Sequence, residues 1–197
     1  MARPPRFDAN QLLDAAVRLA AAGGPAAVTM SAVATEVGAP SGSVYHRFAG
    51  RSALLAEAWL RTVEGFQAGY FKVLEAAGGD ARRAGCAAAR HVVAWSRAHP
   101  EEAALLLYGA EDFGRADWSD EHRRRADDGN RRVRASLAEL ATALGAEGPQ
   151  AAERVALAVV DLPLSLVRRH LRSGDPLPAH AEDLAEQCTA ALLGPAA

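Results

Sequence analysis

Apolar residues recur at intervals of three and four along most of the chain. Leu12, Leu13, Ala16, Val17 and Leu19 form such a stripe. It predicts an amphipathic helix opening at Asp8 or Ala9, and Gly23-Gly24-Pro25 ends it. Thr29 stands where an N-cap stands, ahead of a short helix at about 30–37. Gly38-Ala39-Pro40 breaks that helix, and a second short one follows at about 41–48. After Ala49-Gly50 a long helix is predicted over about 51–77, stopped by Gly78-Gly79. Five more helices follow. They cover about 80–98, a stretch opening at Pro100 with Glu101 and Glu102 at its positive end, and about 119–144, 149–171 and 179–193. Pro163 is expected to kink the fourth of these, because its ring removes a backbone donor. Strand alternation is nearly absent. The pattern predicts an all-α fold of about nine helices, with a small head over residues 1–50 and a larger helical domain over residues 51–197.

The most informative stretch runs from Thr29 to Phe48. It reads as two short helices around a glycine turn. Val33, Val37, Val44 and Phe48 are placed to meet Leu12, Ala16 and Leu19 in a small core. Ala34 is small where the two helices cross, and Gly38 can take the left-handed backbone that stops the first helix sharply. This is the anatomy of a helix-turn-helix, whose second helix enters the major groove of DNA.

Charge adds a little. The chain carries -2 overall, yet residues 1–55 carry +2 and the remainder -4. A mildly basic head on an acidic body suits a nucleic-acid reader joined to an unrelated module. Arg123, Arg124, Arg125, Arg131, Arg132 and Arg134 are interleaved with Asp120, Glu121, Asp127 and Asp128, so they read as a solvated helix face. The 197 residues, half of them hydrophobic, suffice for a full core. No apolar run reaches the roughly 18 residues of a membrane span. The N-terminal stretch lacks the apolar region of a signal peptide, so a cytoplasmic protein without membrane contact is expected. Cys86 and Cys188 are too few and too far apart for a disulfide framework or a C-x-x-C metal site. No H-E-x-x-H, P-loop or dinucleotide fingerprint is present. Neither an enzyme nor a cofactor or metal is therefore expected.

The run Ala34-x-x-x-Gly38 to Val44-Tyr45-His46-x-Phe48, followed by Arg51-x-x-Leu54-Leu55, resembles the DNA-binding head of TetR-family transcriptional regulators. The likeness covers about residues 8–58. It implies an N-terminal three-helix head and a helical body that binds ligand and dimerises. It also implies contacts residue by residue. Thr29 and Ser31 would hold backbone phosphates. Ser41, Gly42 and Ser43 would face base edges. Tyr45 and His46 would reach phosphates, or in the case of Tyr45 a thymine methyl. Arg51 would hold a phosphate. Arg3 and Arg6 would reach the backbone or minor groove from the N-terminal tail. The recognition helix departs from a strong base reader, because it lacks Arg, Asn or Gln at its start. Backbone proximity, water and DNA shape are expected to carry more of the specificity.

The rest of the chain holds a second apolar concentration. Phe66 and Tyr70 are four apart, as are His91 and Trp95, and Tyr108 and Phe113 follow. Such a set can line a small-molecule pocket or simply fill a core. The last two helices carry apolar stripes with Val155, Val159, Leu162 and Leu166, then Leu184, Cys188 and Leu192. They can cover a monomer core or form a four-helix dimer interface. The expectation is a homodimeric, ligand-responsive regulator, a repressor of a palindromic operator released by a small apolar or aromatic effector. Co-repression by the ligand and a ligand-free architectural DNA binder are the alternatives, and the acidic body argues against the second.

Overall fold

The computed structural model describes residues 8–146, 148 and 150–194. Among them the chain is helical throughout, with no strand. Two compact units emerge. Of the described residues, the first comprises those up to Val63 together with Glu101–Asp127; the second comprises Glu64–Pro100 and those from Asp128 onward. No helix among the described residues is long and apolar enough to cross a membrane.

The first unit opens with α1 (Ala9–Gly23). Asp8 and Gln11 close a reciprocal capping box at its start, with the Asp8 carboxylate accepting the Gln11 N–H at 2.8 Å. A single 3₁₀ turn, Pro25–Ala27, leads to α2 (Met30–Glu36) and α3 (Ser41–Tyr45). Leu12, Ala16, Val33 and Val44 are completely buried, and Phe48 nearly so, while Leu19 and Val37 pack on the edge of this core. Gly38 has φ +66°, and a Cβ built there would meet nothing within 4 Å. Backbone handedness alone therefore calls for glycine. The Ala39 N–H bonds Ala34 O and the Gly38 N–H bonds Thr35 O. This pair of bonds is the Schellman closure that ends α2 and swings the chain toward α3. The helix after it is shorter than the 41–48 expected, because residues 46–48 continue as hydrogen-bonded turns that place Phe48 inward.

The long helix α4 (Arg51–Ala76) belongs to the first unit as far as Val63. Against this part pack α6 (Pro100–Leu105), the segment after it and the first residues of α7 (Asp120–Ala143). Trp59 and Trp118 lie 5.6 Å apart between ring centroids. The Trp59 indole donates to Tyr108 O, the Trp118 indole to Phe113 O and Ser52 Oγ to Asp117 O. Glu57 receives Arg125 Nη1 at 2.7 Å and His122 Nε2 at 3.0 Å. These bonds bring residues distant in sequence into one body with the head, a grouping the hydrophobic pattern does not announce.

The second unit holds the remainder of α4, α5 (Ala81–Ala98), the later part of α7 and the C-terminal helices. Asp80 caps α5 by accepting the Arg83 N–H. In place of one kinked helix, α8 (Ala151–Ala156), a π-helical stretch over Leu157–Asp161 and α9 (Leu162–Ser173) follow without a break. The wider turn precedes Pro163, whose ring supplies no N–H and crowds the carbonyl a turn earlier. α10 (Ala181–Leu193) packs along α5. Ion pairs Arg90–Asp183 and Arg97–Glu182 join these two helices.

Candidate nucleic-acid interface

The helical register divides the head's residues. Val44 and Phe48, four apart, point into the core. Ser41 and Tyr45, also four apart, face solvent, and the Tyr45 side chain is 61% exposed. Gly42 and His46 are exposed and Ser43 is half-buried. A Cβ at Gly42 would meet nothing within 4 Å, so packing does not require glycine there and the small residue keeps the backbone approachable from outside. Thr29 caps α2 with Oγ1 accepting the Ala32 N–H at 3.0 Å, and it lies 3.2 Å from Ser31 Oγ. Both residues are exposed. Their shared hydrogen bond uses one hydroxyl hydrogen and leaves the other for an outside acceptor.

Arg51 is engaged within the head itself. Its Nε donates to Val28 O at 2.7 Å and its Nη2 to Pro25 O at 2.8 Å. The guanidinium thus braces the turn between α1 and α2, and two of its five donors are committed before any phosphate arrives. Arg47 is exposed beside Tyr45 and His46. Its positive charge adjoins the second helix, a feature of the sequence that the resemblance did not single out. Arg3 and Arg6 lie outside the described residues.

The six residues expected around an effector fall in different places. Phe66, Tyr70, His91 and Trp95 belong to the second unit, whereas Tyr108 and Phe113 belong to the first. Phe113 is completely buried in the first unit's core, and Tyr108 is partly exposed with its hydroxyl beside Gly24. Tyr70 is buried with Leu137, Leu140, Val155 and Val159, and its hydroxyl lies 3.0 Å from Ser136 Oγ. Burial pushes its phenol above the ordinary range, with the Ser136 bond opposing. Phe66, His91 and Trp95 do meet. The Phe66 centroid is 5.3 Å from each of the other two, and Trp95 stacks on His99 at 4.8 Å. His91 Nε2 bonds Phe66 O at 3.0 Å. Burial lowers the His91 pKa, partly offset by that carbonyl. A Cβ at Gly69 would stand 2.3 Å from His91 Cε1, so glycine is what lets the imidazole lie against α4.

The C-terminal apolar stripes are also divided. Val155 and Val159 are interior, and Leu166 is buried with Val93, Val167, Ala181 and Ala185. Leu162 and Cys188 are half-buried. Leu184 and Leu192 remain exposed, and so does Leu157, which lies off the buried face of Val155, Ala158 and Val159. Among the described residues no group of three or more His, Cys, Asp or Glu side chains is arranged to hold a metal ion.

A short helix capped by hydroxyls, a glycine turn and a second helix with an exposed tyrosine together have the geometry of a helix-turn-helix, the motif whose second helix fits the major groove. Residues 12–58 match the family model described as bacterial regulatory proteins, tetR family. The whole chain has the fold of solved structures bearing such names. PfmR, a TetR-family regulator from Thermus thermophilus, superposes with TM-score 0.70 at 19% identity, over 96% of this chain and 97% of that one. FadR from Bacillus subtilis, solved with stearoyl-CoA, gives 0.71 at 14%, over 95% and 98%. The ketosteroid regulator KstR2 of Mycobacterium tuberculosis gives 0.70 at 17%, over 96% and 95%. No curated protein sequence matches the chain. Residues 12–58 therefore resemble the DNA-binding head of the tetR family of bacterial regulatory proteins, and the chain as a whole shares the fold of these solved structures.

Proposed function

We propose that the chain acts as a homodimer that represses from a two-fold-related operator and is released by a small apolar or aromatic effector. The observation that carries this reading is the outward face of the head. Tyr45, Ser41, Gly42 and His46 are exposed beside the Thr29 and Ser31 hydroxyls, and every large apolar neighbour is turned inward. Tyr45 and the small residues before it read base edges and groove shape, and the hydroxyls hold phosphates. Two heads on a two-fold axis meet half-sites roughly 34–36 Å apart or a multiple of that. Leu157, Leu184 and Leu192, with Cys188 between the last two, supply an apolar face for the partner. The ring cluster of Phe66, His91 and Trp95 is the wall against which the effector packs. The stearoyl-CoA and ketosteroid in the names of two structural neighbours support an apolar effector. Binding biases the dimer only through a difference in affinity between its two geometries.

Selection of bound duplexes from a random pool at physiological salt tests the reading. Enrichment of an inverted repeat is expected, and it supplies the probe for an effector screen by release. Enrichment of a single unpaired half-site, or of no sequence, overturns the dimeric operator reader.

A further inference from the structure

The second unit contains a cavity of about 410 Å³ that is lined by none of Phe66, His91 and Trp95. Its walls are the C-terminal end of α5, the C-terminal end of α9 and the loop after α9. Leu171 and Leu177 give it apolar lining, and Ser96, Arg97, His170 and Asp175 bring polar groups to it. The volume falls within the range of small-molecule sites, and the mixture of an apolar wall with a few polar groups is characteristic of them.

The state of each polar group restricts what fits. Four of the five Arg97 N–H donors are engaged: Nε and Nη2 bond the Glu182 carboxylate, Nη1 bonds Leu177 O and Nη2 also bonds Pro178 O. Its charge is paired, so it is a poor anchor for an anion. Ser96 Oγ gives its hydrogen to Val92 O at 2.7 Å and retains only acceptor capacity. Asp175 is an acceptor when ionised. His170 Nδ1 is buried with no hydrogen-bond partner in the protein, an arrangement native structures rarely leave unanswered. A neutral imidazole can accept at that nitrogen. With the ring hydrogen on Nε2, His170 Nδ1 joins Ser96 and Asp175 as an acceptor, and the charge of Arg97 is already neutralised by Glu182.

We propose that this cavity is a second small-molecule site, for a compact, mostly apolar molecule with a hydrogen-bond donor such as a hydroxyl. The inference stands apart from the operator reading, since it requires no DNA. Calorimetric titration of the full-length protein with 2-naphthol and with 2-naphthoate tests it. The two share an apolar body and differ in a donor head against an ionised acceptor head. Saturable binding of 2-naphthol is expected, about tenfold or more tighter than 2-naphthoate. Leu171→Trp, which fills the cavity, weakens 2-naphthol by about tenfold or more. His170→Phe keeps the ring's bulk and shrinks the preference over 2-naphthoate to about threefold or less. If Leu171→Trp fails to fold by circular dichroism, the His170→Phe comparison decides. No saturable binding, equal or tighter binding of 2-naphthoate, or a preference unchanged by His170→Phe overturns the proposal.

Discussion

At the scale of single residues, exposure separates recognition from support. Tyr45 is mostly exposed and has little burial to lose, so Tyr45→Ala should leave the helical circular dichroism and the melting temperature near those of the parent. Specific operator affinity should fall by about tenfold or more, in line with the roughly 1–3 kcal/mol of a base-reading contact. Fluorescence anisotropy on the selected operator measures it, and unchanged affinity removes Tyr45 from the interface. Arg51 is a less clean probe, because the side chain that would meet a phosphate also braces the Pro25 and Val28 carbonyls. Glu57 shows how local bonds set titration. Burial pushes its carboxyl up, but Arg125 and His122 outweigh burial and hold it below the ordinary value of 4.5. A depressed folded pKa contributes stability that is present above the unfolded pKa and is lost as pH falls through the folded one. Glu57→Gln should therefore destabilise at pH 7 and converge on the parent as pH drops well below about 4.5. Urea unfolding at several pH values checks this, and a pH-independent gap contradicts it.

At the scale of elements, turn chemistry has more influence than helix length. α2 and α3 are only seven and five residues long, too short to be stable alone. The shared core under Val33, Val44 and Phe48 holds them, and the left-handed Gly38 sets their angle. Gly38→Ala meets no steric neighbour, so its cost is the handedness penalty of about 1–2 kcal/mol. A loss of that order in urea unfolding, together with weaker operator binding, is expected. A stability gain would instead mean that the turn relaxes to a right-handed conformation. Most of these elements were legible from the chain. The spacing of apolar residues located the helices, and Asp8, Thr29, Gly38 and Pro40 marked their ends. The recognition helix was drawn too long because an apolar Phe48 looks the same in a helix and in the turn that follows. The π-helical stretch before Pro163 was invisible, since sequence records the missing donor but not how the backbone accommodates it.

At the scale of the whole molecule, the question is which apolar surface is free for a partner. Val159 is completely buried, whereas Leu184 and Leu192 are exposed. Introducing Leu184→Glu with Leu192→Glu should give a folded monomer by sedimentation equilibrium. Val159→Glu should unfold the second unit, because an unpaired charge would enter its core. A double variant that remains dimeric moves the interface elsewhere. Sequence alone determined the helical class and the helix-turn-helix, because local periodicity and turn residues act over a few positions. It could not sort the aromatic cluster or the C-terminal stripes, because a core leucine and an interface leucine have the same period. Tertiary structure decided that Glu101–Asp127 joins the head's unit, that Arg51 is a brace, and that Phe66, His91 and Trp95 meet while Phe113 lies apart in another core. Each of these depends on contacts between residues far apart in the chain, which are selected by shape and hydrogen-bond geometry rather than by spacing along it.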